Sequence, residues 1–213
     1  NPKIKKSEIT VGCDPEFEAF SLNERRVVYA SFGDTSSEIG IDGVGECVEF
    51  RPQASANPKE VADRLEKLFS RFVSNQPNTR LLCSGHRFAI GGHIHIGVNK
   101  PYAPEPELLQ LLDDFLGKPF YYCSGKARSC YLGYGLYREQ PWGFEYRTPP
   151  SAIFYNKKIS TIALKIAKNI VYKYLSVKGK PIEYSCPPTQ DDYKKYAGLR
   201  YSEYKAFTKL SKK

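Results

Sequence analysis

The sequence predicts an α+β fold: a curved, mainly antiparallel sheet with helices on its convex face and a polar concave face. Three observations carry that expectation. Four short stretches, DPEFE (14–18), GECVEFRP (45–52), GGHIHIG (91–97) and WGFEYRTPP (142–150), alternate charged or metal-capable residues with small or apolar ones. Two longer segments, one after Asn57-Pro58 and one after Pro149-Pro150, carry apolar residues at helical spacing. Between these lie glycine-, serine- and tyrosine-rich stretches, the composition of turns and loops.

Successive side chains of a β-strand point to opposite faces, so a period of two sorts each stretch into two sets. Asp14, Glu16 and Glu18 share one face, with Phe17 and Ala19 on the other. Glu49 and Arg51 oppose Val48 and Phe50, His93 and His95 oppose Ile94 and Ile96, and Glu145 and Arg147 oppose Phe144 and Tyr146. Glu46 falls in phase with the apolar Val48 and Phe50, so Glu49 is kept as the candidate ligand and Glu46 is not. If the apolar sets bury one core, the polar sets converge. A surface of uncompensated carboxylates is costly, and a divalent metal resolves it.

In chain order, residues 8–20 and 26–31 read as strands joined by the turn SLNER. The loop 33–45, GDTSSEIGIDGVG, leads into a strand at 46–52. Asn57 is an N-cap and Pro58 a first-turn residue for the helix EVADRLEKLFSRFV. Strands are expected at 79–84 and 87–97, then a helix near 105–116 announced by PEPE. Residues 117–141 read as a loop, 142–148 as a strand, and about 151–175 as a helix. In the tail, Tyr193, Tyr196, Arg200, Tyr204 and Phe207 recur at helical spacing among lysines. Such a segment either docks on its own domain or grips a nucleic-acid strand by stacking and phosphate contact; docking is the commoner outcome.

A chain of 213 residues fits one domain and buries about 70% of its unfolded surface by the usual scaling. No apolar run approaches the roughly 20 residues that span a bilayer, and no apolar signal segment opens the chain, so a cytoplasmic location is expected. Six cysteines are scattered without metal-binding spacing and read as free thiols, with Cys13 and Cys47 filling space beside the acidic strands. A net charge of +9 suits an anionic partner such as a nucleotide, nucleic acid or acidic peptide, and equally a solvated basic surface.

Taken singly, each motif has a bland reading: an acidic solvent-facing strand, two histidines on a wet face, a cross-strand ion pair. Their coincidence on four strands points to one site. Oxygen ligands with one or two imidazoles suit Mg²⁺ or Mn²⁺ better than zinc. Two other classes use similar surfaces, a metal-dependent phosphohydrolase or nuclease and a non-catalytic nucleic-acid-binding protein.

GCDPEFE, IDGVGECVEFRP, GGHIHIG and RSCYLGYGLYREQPWGFEYRTPPSA, in this order over residues 12–152, resemble the phage-type COOH–NH2 ligases. These form the amidoligase branch of the glutamine synthetase and glutamate–cysteine ligase superfamily. The resemblance implies a glutamine synthetase-like catalytic domain, placed over 1–177; it does not cover the basic, tyrosine-rich segment 178–213, which reads as an extension. It also implies ATP-dependent joining of a carboxylate to an amine through an acyl-phosphate, with an amino acid as one substrate. By the same resemblance Glu16 shares one metal with His93 and Glu145, and Glu18 another with Glu49; Asp14 and Asp42 are further candidate ligands. His95 is implied to contact ATP phosphates, with Arg51, Lys126 and Arg128 also candidates for ATP contact. Arg147 and Arg138 correspond to arginines that hold the transferring phosphate and the substrate carboxylate. Val44 stands where the family pattern often carries a polar residue. The lack of a long apolar run leads us to expect no membrane contact; a host-cytoplasmic setting is expected if the chain is phage-encoded, and the resemblance implies an oligomer in some relatives.

Overall fold

The structure, a computed structural model, describes residues 4–29, 37–42, 47–124, 133–177 and 181–210. Its strands are β1 (Thr10–Cys13), β2 (Glu16–Ser21), β3 (Arg26–Val28), β4 (Ile39–Asp42), β5 (Cys47–Phe50), β6 (Thr79–Leu82), β7 (Ile94–Gly97), β8 (Tyr137–Gln140) and β9 (Gly143–Tyr146). The helices are α1 (Pro58–Asn75), α2 (Pro106–Leu112), α3 (Lys157–Val177), α4 (Gln190–Ala197) and α5 (Tyr201–Leu210). The fold is α+β, and every ladder among the described residues is antiparallel. One sheet runs β1-β7-β9-β8; the other runs β3-β2-β5-β4, with β6 also paired to β2.

The expected single strand at 8–20 is two strands in two sheets. Pro15 lacks an amide to donate to a ladder, and the chain crosses between the sheets at Asp14-Pro15. The strand expected at 87–97 is ordered as a ladder only over Ile94–Gly97. Residues 86–88 spend their amides on the Glu18 carboxylate instead, at 2.9, 2.6 and 2.6 Å. Within the expected loop 117–141 a further strand, β8, pairs with β9. The helix expected near 105–116 is α2 followed by a π-helical segment at Asp113–Gly117.

Alternation does what the sequence requires of it on the buried side. Phe17 and Phe50, on the apolar faces of β2 and β5, meet Phe69 and Phe72 of α1 with centroid separations between 4.7 and 5.7 Å. Val61, Leu65, Leu68 and Phe72 place this buried stripe at three- and four-residue spacing along α1. The Asn57 side chain caps α1 by accepting from the Lys59 amide at 3.1 Å. α3, buried along Ile159, Ile162, Ile166 and Ile170, packs on α1, β1 and β7. The helices therefore cover the apolar faces and leave the polar faces for the site. α4 and α5 close the core at one end with Tyr193, Tyr196 and Phe207. No helix among the described residues is long and apolar enough to cross a membrane.

Candidate active site

Register aligns one row of side chains across the first sheet. Gly12 lies opposite His95, His95 opposite Glu145, and Glu145 opposite Arg138. In the second sheet Glu16 lies opposite Glu49. Asp14, in the link between β1 and β2, joins the two rows. The alternation expected from sequence thus brings Asp14, Glu16, Glu49, His93, His95 and Glu145 into one place, and Glu16, Glu49, His93 and Glu145 are buried there.

The His93 Nδ1 atom is 3.2 Å from Asp14 Oδ1, 3.4 Å from Glu145 Oε1 and 3.9 Å from Glu16 Oε1. The His95 Nε2 atom is 3.1 Å from Asp14 Oδ2. These separations are short but the directions are poor. Among the described residues neither Asp14 Oδ1 nor His95 Nε2, both buried, has a hydrogen-bond partner. Two groups of donor atoms among the described residues lie close enough to hold an ion, Asp14 with His93 and Glu145, and Glu16 with Asp42 and Cys47. Gly91 explains part of the packing. Its amide donates to Glu16 Oε2 at 2.6 Å, and a Cβ at this position would sit 2.4 Å from His93 Nε2.

Burial and crowding of like charges set the proton affinities. Burial, offset in part by His93 and the Gly91 amide, raises Glu16 to about 6. Burial, with Asp14 adding to it and Arg51 opposing it, pushes Glu49 up to about 8. Burial also raises Asp14, but the two imidazoles outweigh it and hold this carboxyl well below the usual carboxylate range. Burial lowers His95, yet Asp14, Glu145 and Glu49 prevail and hold it above its ordinary value. Cys47, buried beside Glu16, Asp42 and Glu49, is kept a neutral thiol.

The cationic side chains occupy the rim. Arg147 pairs with Glu145 Oε1, Arg138 Nη1 lies 3.7 Å from Glu145 Oε2, and Gln140 Nε2 donates to the same oxygen at 3.2 Å. Arg51 pairs with Glu49 and donates to the carbonyls of Ser37 and Ile41, which ties β5 to β4. Glu18 is fully buried, with Oε1 held by the three amides of 86–88 and Oε2 without a hydrogen-bond partner among the described residues. Lys126 and Arg128, Val44 and the discounted Glu46 lie outside the described residues.

Sequence reading passed over Cys47 as a donor, Gln140, the Gly91 amide, and Trp142, whose ring lies 5.3 Å from the His95 ring. Only the double glycine of GGHIHIG carried a signal, since adjacent glycines mark a close backbone approach.

An antiparallel α+β fold that gathers carboxylates and imidazoles in one buried place, rimmed by arginines, carries a candidate active site. The chain belongs to the phage phiEco32-like COOH·NH2 ligase family, type 2, whose model matches residues 11–210. It is accordingly a carboxylate–amine ligase. No curated protein matches the sequence.

Proposed function

We propose that the protein forms an amide or isopeptide bond in an ATP-dependent, ADP-forming reaction through an acyl-phosphate, with Mg²⁺ or Mn²⁺ bound in the carboxylate cluster. The observation that carries this reading is the convergence of Asp14, Glu16 and Glu145 on His93 and His95, with Asp14 Oδ1 and His95 Nε2 buried and without a hydrogen-bond partner among the described residues. Buried polar atoms without partners are rare, and a bound ion is one of the groups that satisfies them. The donors fit a hard divalent ion, being mostly carboxylate oxygens with imidazole nitrogen.

Asp14, His93 and Glu145 would hold one ion. Glu16 and Asp42 would hold a second, with Glu49 beside Glu16 in register and Glu18 offering its bare Oε2. Bound there, divalent ions neutralise the phosphates of ATP and allow an anionic carboxylate to approach them.

The chain's own residues do the remaining work. Arg147 and Arg138, drawn to Glu145 in this structure, would turn their guanidinium groups to the transferring phosphoryl and to the substrate carboxylate. His95 would donate to a phosphate oxygen, since its neighbours favour its protonated form. Arg51, Lys126 and Arg128 are further candidates for ATP contact. The substrate carboxylate oxygen attacks the γ-phosphorus and ADP leaves. The amine nitrogen then attacks the acyl carbon, phosphate leaves, and a site carboxylate takes the amine proton.

Incubation of the enzyme with ATP, Mg²⁺ and pooled amino acids and amines tests this, with ADP and product mass as readouts. ADP release that needs both an acid and an amine, together with a product one water lighter than their sum, is the expected result. Phosphodiester cleavage without ATP would instead identify a phosphohydrolase. A Glu145→Ala enzyme as active as the wild type would sink the site assignment.

A further inference from the structure

On the helical layer a cavity of about 470 Å³ opens between the short turn at Lys6–Glu8, the start of α1 and the side of α3 that carries Thr161, Lys165, Lys168 and Asn169. It shares no lining residue with the carboxylate centre. Four lysines are among its lining residues, Lys6, Lys59, Lys165 and Lys168. Two of them are already neutralised. Lys59 Nζ lies 2.8 Å from Asp63 Oδ2, and Lys165 Nζ lies 2.9 Å from Glu203 Oε2.

Lys6 and Lys168 differ. Among the described residues neither has a carboxylate within ion-pair distance. Lys168 is only 5% exposed, and its Nζ donates to one neutral acceptor, the Ala56 carbonyl. An ammonium has three donors, and lysine is almost never buried to this degree unless paired. Lys6 adds a second positive charge to the same cavity, with its ammonium 5.9 Å from the Tyr172 ring, and raises the cost of keeping Lys168 charged. The N-terminus of the eighteen-residue α1 contributes a further positive end, although Asn57 already occupies its Lys59 amide. Burying a charge without a counter-charge is unfavourable, and an anion seated between the two lysines removes the penalty. The volume falls within the roughly 300–1,000 Å³ of small-molecule pockets.

We propose that this cavity is a second, non-catalytic anion site that takes a phosphate-bearing small molecule between Lys6 and Lys168. The inference does not rest on the ligase mechanism, because it concerns other residues on another face. Its test uses the full-length protein in EDTA at constant ionic strength, with chloride replaced stepwise by inorganic phosphate or pyrophosphate. Saturable amide shifts in the NMR spectrum at Lys6, Ala56, Lys59 and Thr161 are expected. Lys168→Gln and Lys6→Glu should each weaken binding tenfold or more, while Glu145→Ala leaves it intact. Lys168→Gln also removes the bond to Ala56 and can loosen the fold, whereas Lys6 is exposed and its substitution reads binding alone. Shifts no larger than those of chloride, or equal phosphate affinity in Lys6→Glu and wild type, would overturn the proposal. So would a DNA oligonucleotide that shifts these residues when phosphate and pyrophosphate do not, since the ligand would then be a polymer.

Discussion

Glu16 at about 6 and Glu49 at about 8 stand above the 4.5 of an ordinary glutamate, and that difference has a sign. A carboxyl whose pKa is raised by folding favours the folded state while it is protonated. Its contribution is complete below about 4.5 and is lost as pH rises through 6 and then 8. His95, also raised, acts in the same direction. Asp14 is depressed, so its contribution is lost only as pH falls below the ordinary aspartate value. The metal-free protein should therefore lose thermal stability between about pH 5 and pH 8. Mn²⁺ needs deprotonated ligands, so its stabilising effect should grow over the same window. Melting curves with and without Mn²⁺ at pH 5.5 and pH 8 check this. A metal-induced shift of equal size at both values contradicts it, and the pair Glu16→Gln, Glu49→Gln should flatten the metal-free dependence.

At the scale of elements, the loop that leads into β7 is the part most sensitive to small changes. Gly91→Ala would put a methyl group 2.4 Å from His93 Nε2 and push the imidazole away from Asp14 and Glu145. Product formation should fall roughly a hundredfold, the range seen when groups that support metal ligands are lost, with the circular dichroism spectrum unchanged. Unaltered turnover would show that His93 is not held by this contact. Phe72→Ala in α1 should do the opposite, lowering stability by about 3–5 kcal/mol while sparing the site, because its ring packs on Phe50 at 5.7 Å and not on the carboxylates; denaturant unfolding measures it.

These elements also show what a sequence displays. The α1 stripe and the Asn57 cap were legible because they depend on residues three or four apart. A period of two placed Glu16, Glu49, His95 and Glu145 on polar faces, but which of them lie opposite one another, Glu16 with Glu49 and His95 with Glu145, depends on the register between strands distant in sequence. β8 was not legible: YREQ is short, mostly exposed and set in a glycine-rich stretch, so no buried face imposes alternation. The three amides at Glu18 and the thiol of Cys47 beside Glu16 arise from contacts between segments distant in sequence, which no local pattern encodes.

For the whole molecule, the decisive question is whether the aromatic, lysine-rich tail is an appendage or part of the core. The rings of Tyr193 and Phe207 are buried, 4.9 Å from Phe115 and 4.9 Å from Phe120 respectively. Tyr193 donates its hydroxyl to the Phe115 carbonyl at 2.7 Å, and Asn169 of α3 donates to the Ala197 carbonyl at 2.6 Å. That last contact is set by the turn after α4, where Gly198 takes φ 65, a conformation that suits glycine. Lys165 of α3 pairs with Glu203 of α5. Each large buried ring contributes about 1.5–3 kcal/mol, so Tyr193, Tyr196 and Phe207 together rival the roughly 5–15 kcal/mol by which a whole domain is stable. A chain ended after Thr189 should accordingly fail to fold, although every candidate metal ligand precedes that point. Tyr201, exposed on α5, is the control, and Tyr201→Ala should shift the melting temperature by less than about 3 °C. A tail that served only to grip nucleic acid gives the reverse pattern: the shortened chain would melt cooperatively near the full-length temperature and retain ligase activity, and only salt-sensitive nucleic-acid binding would be lost.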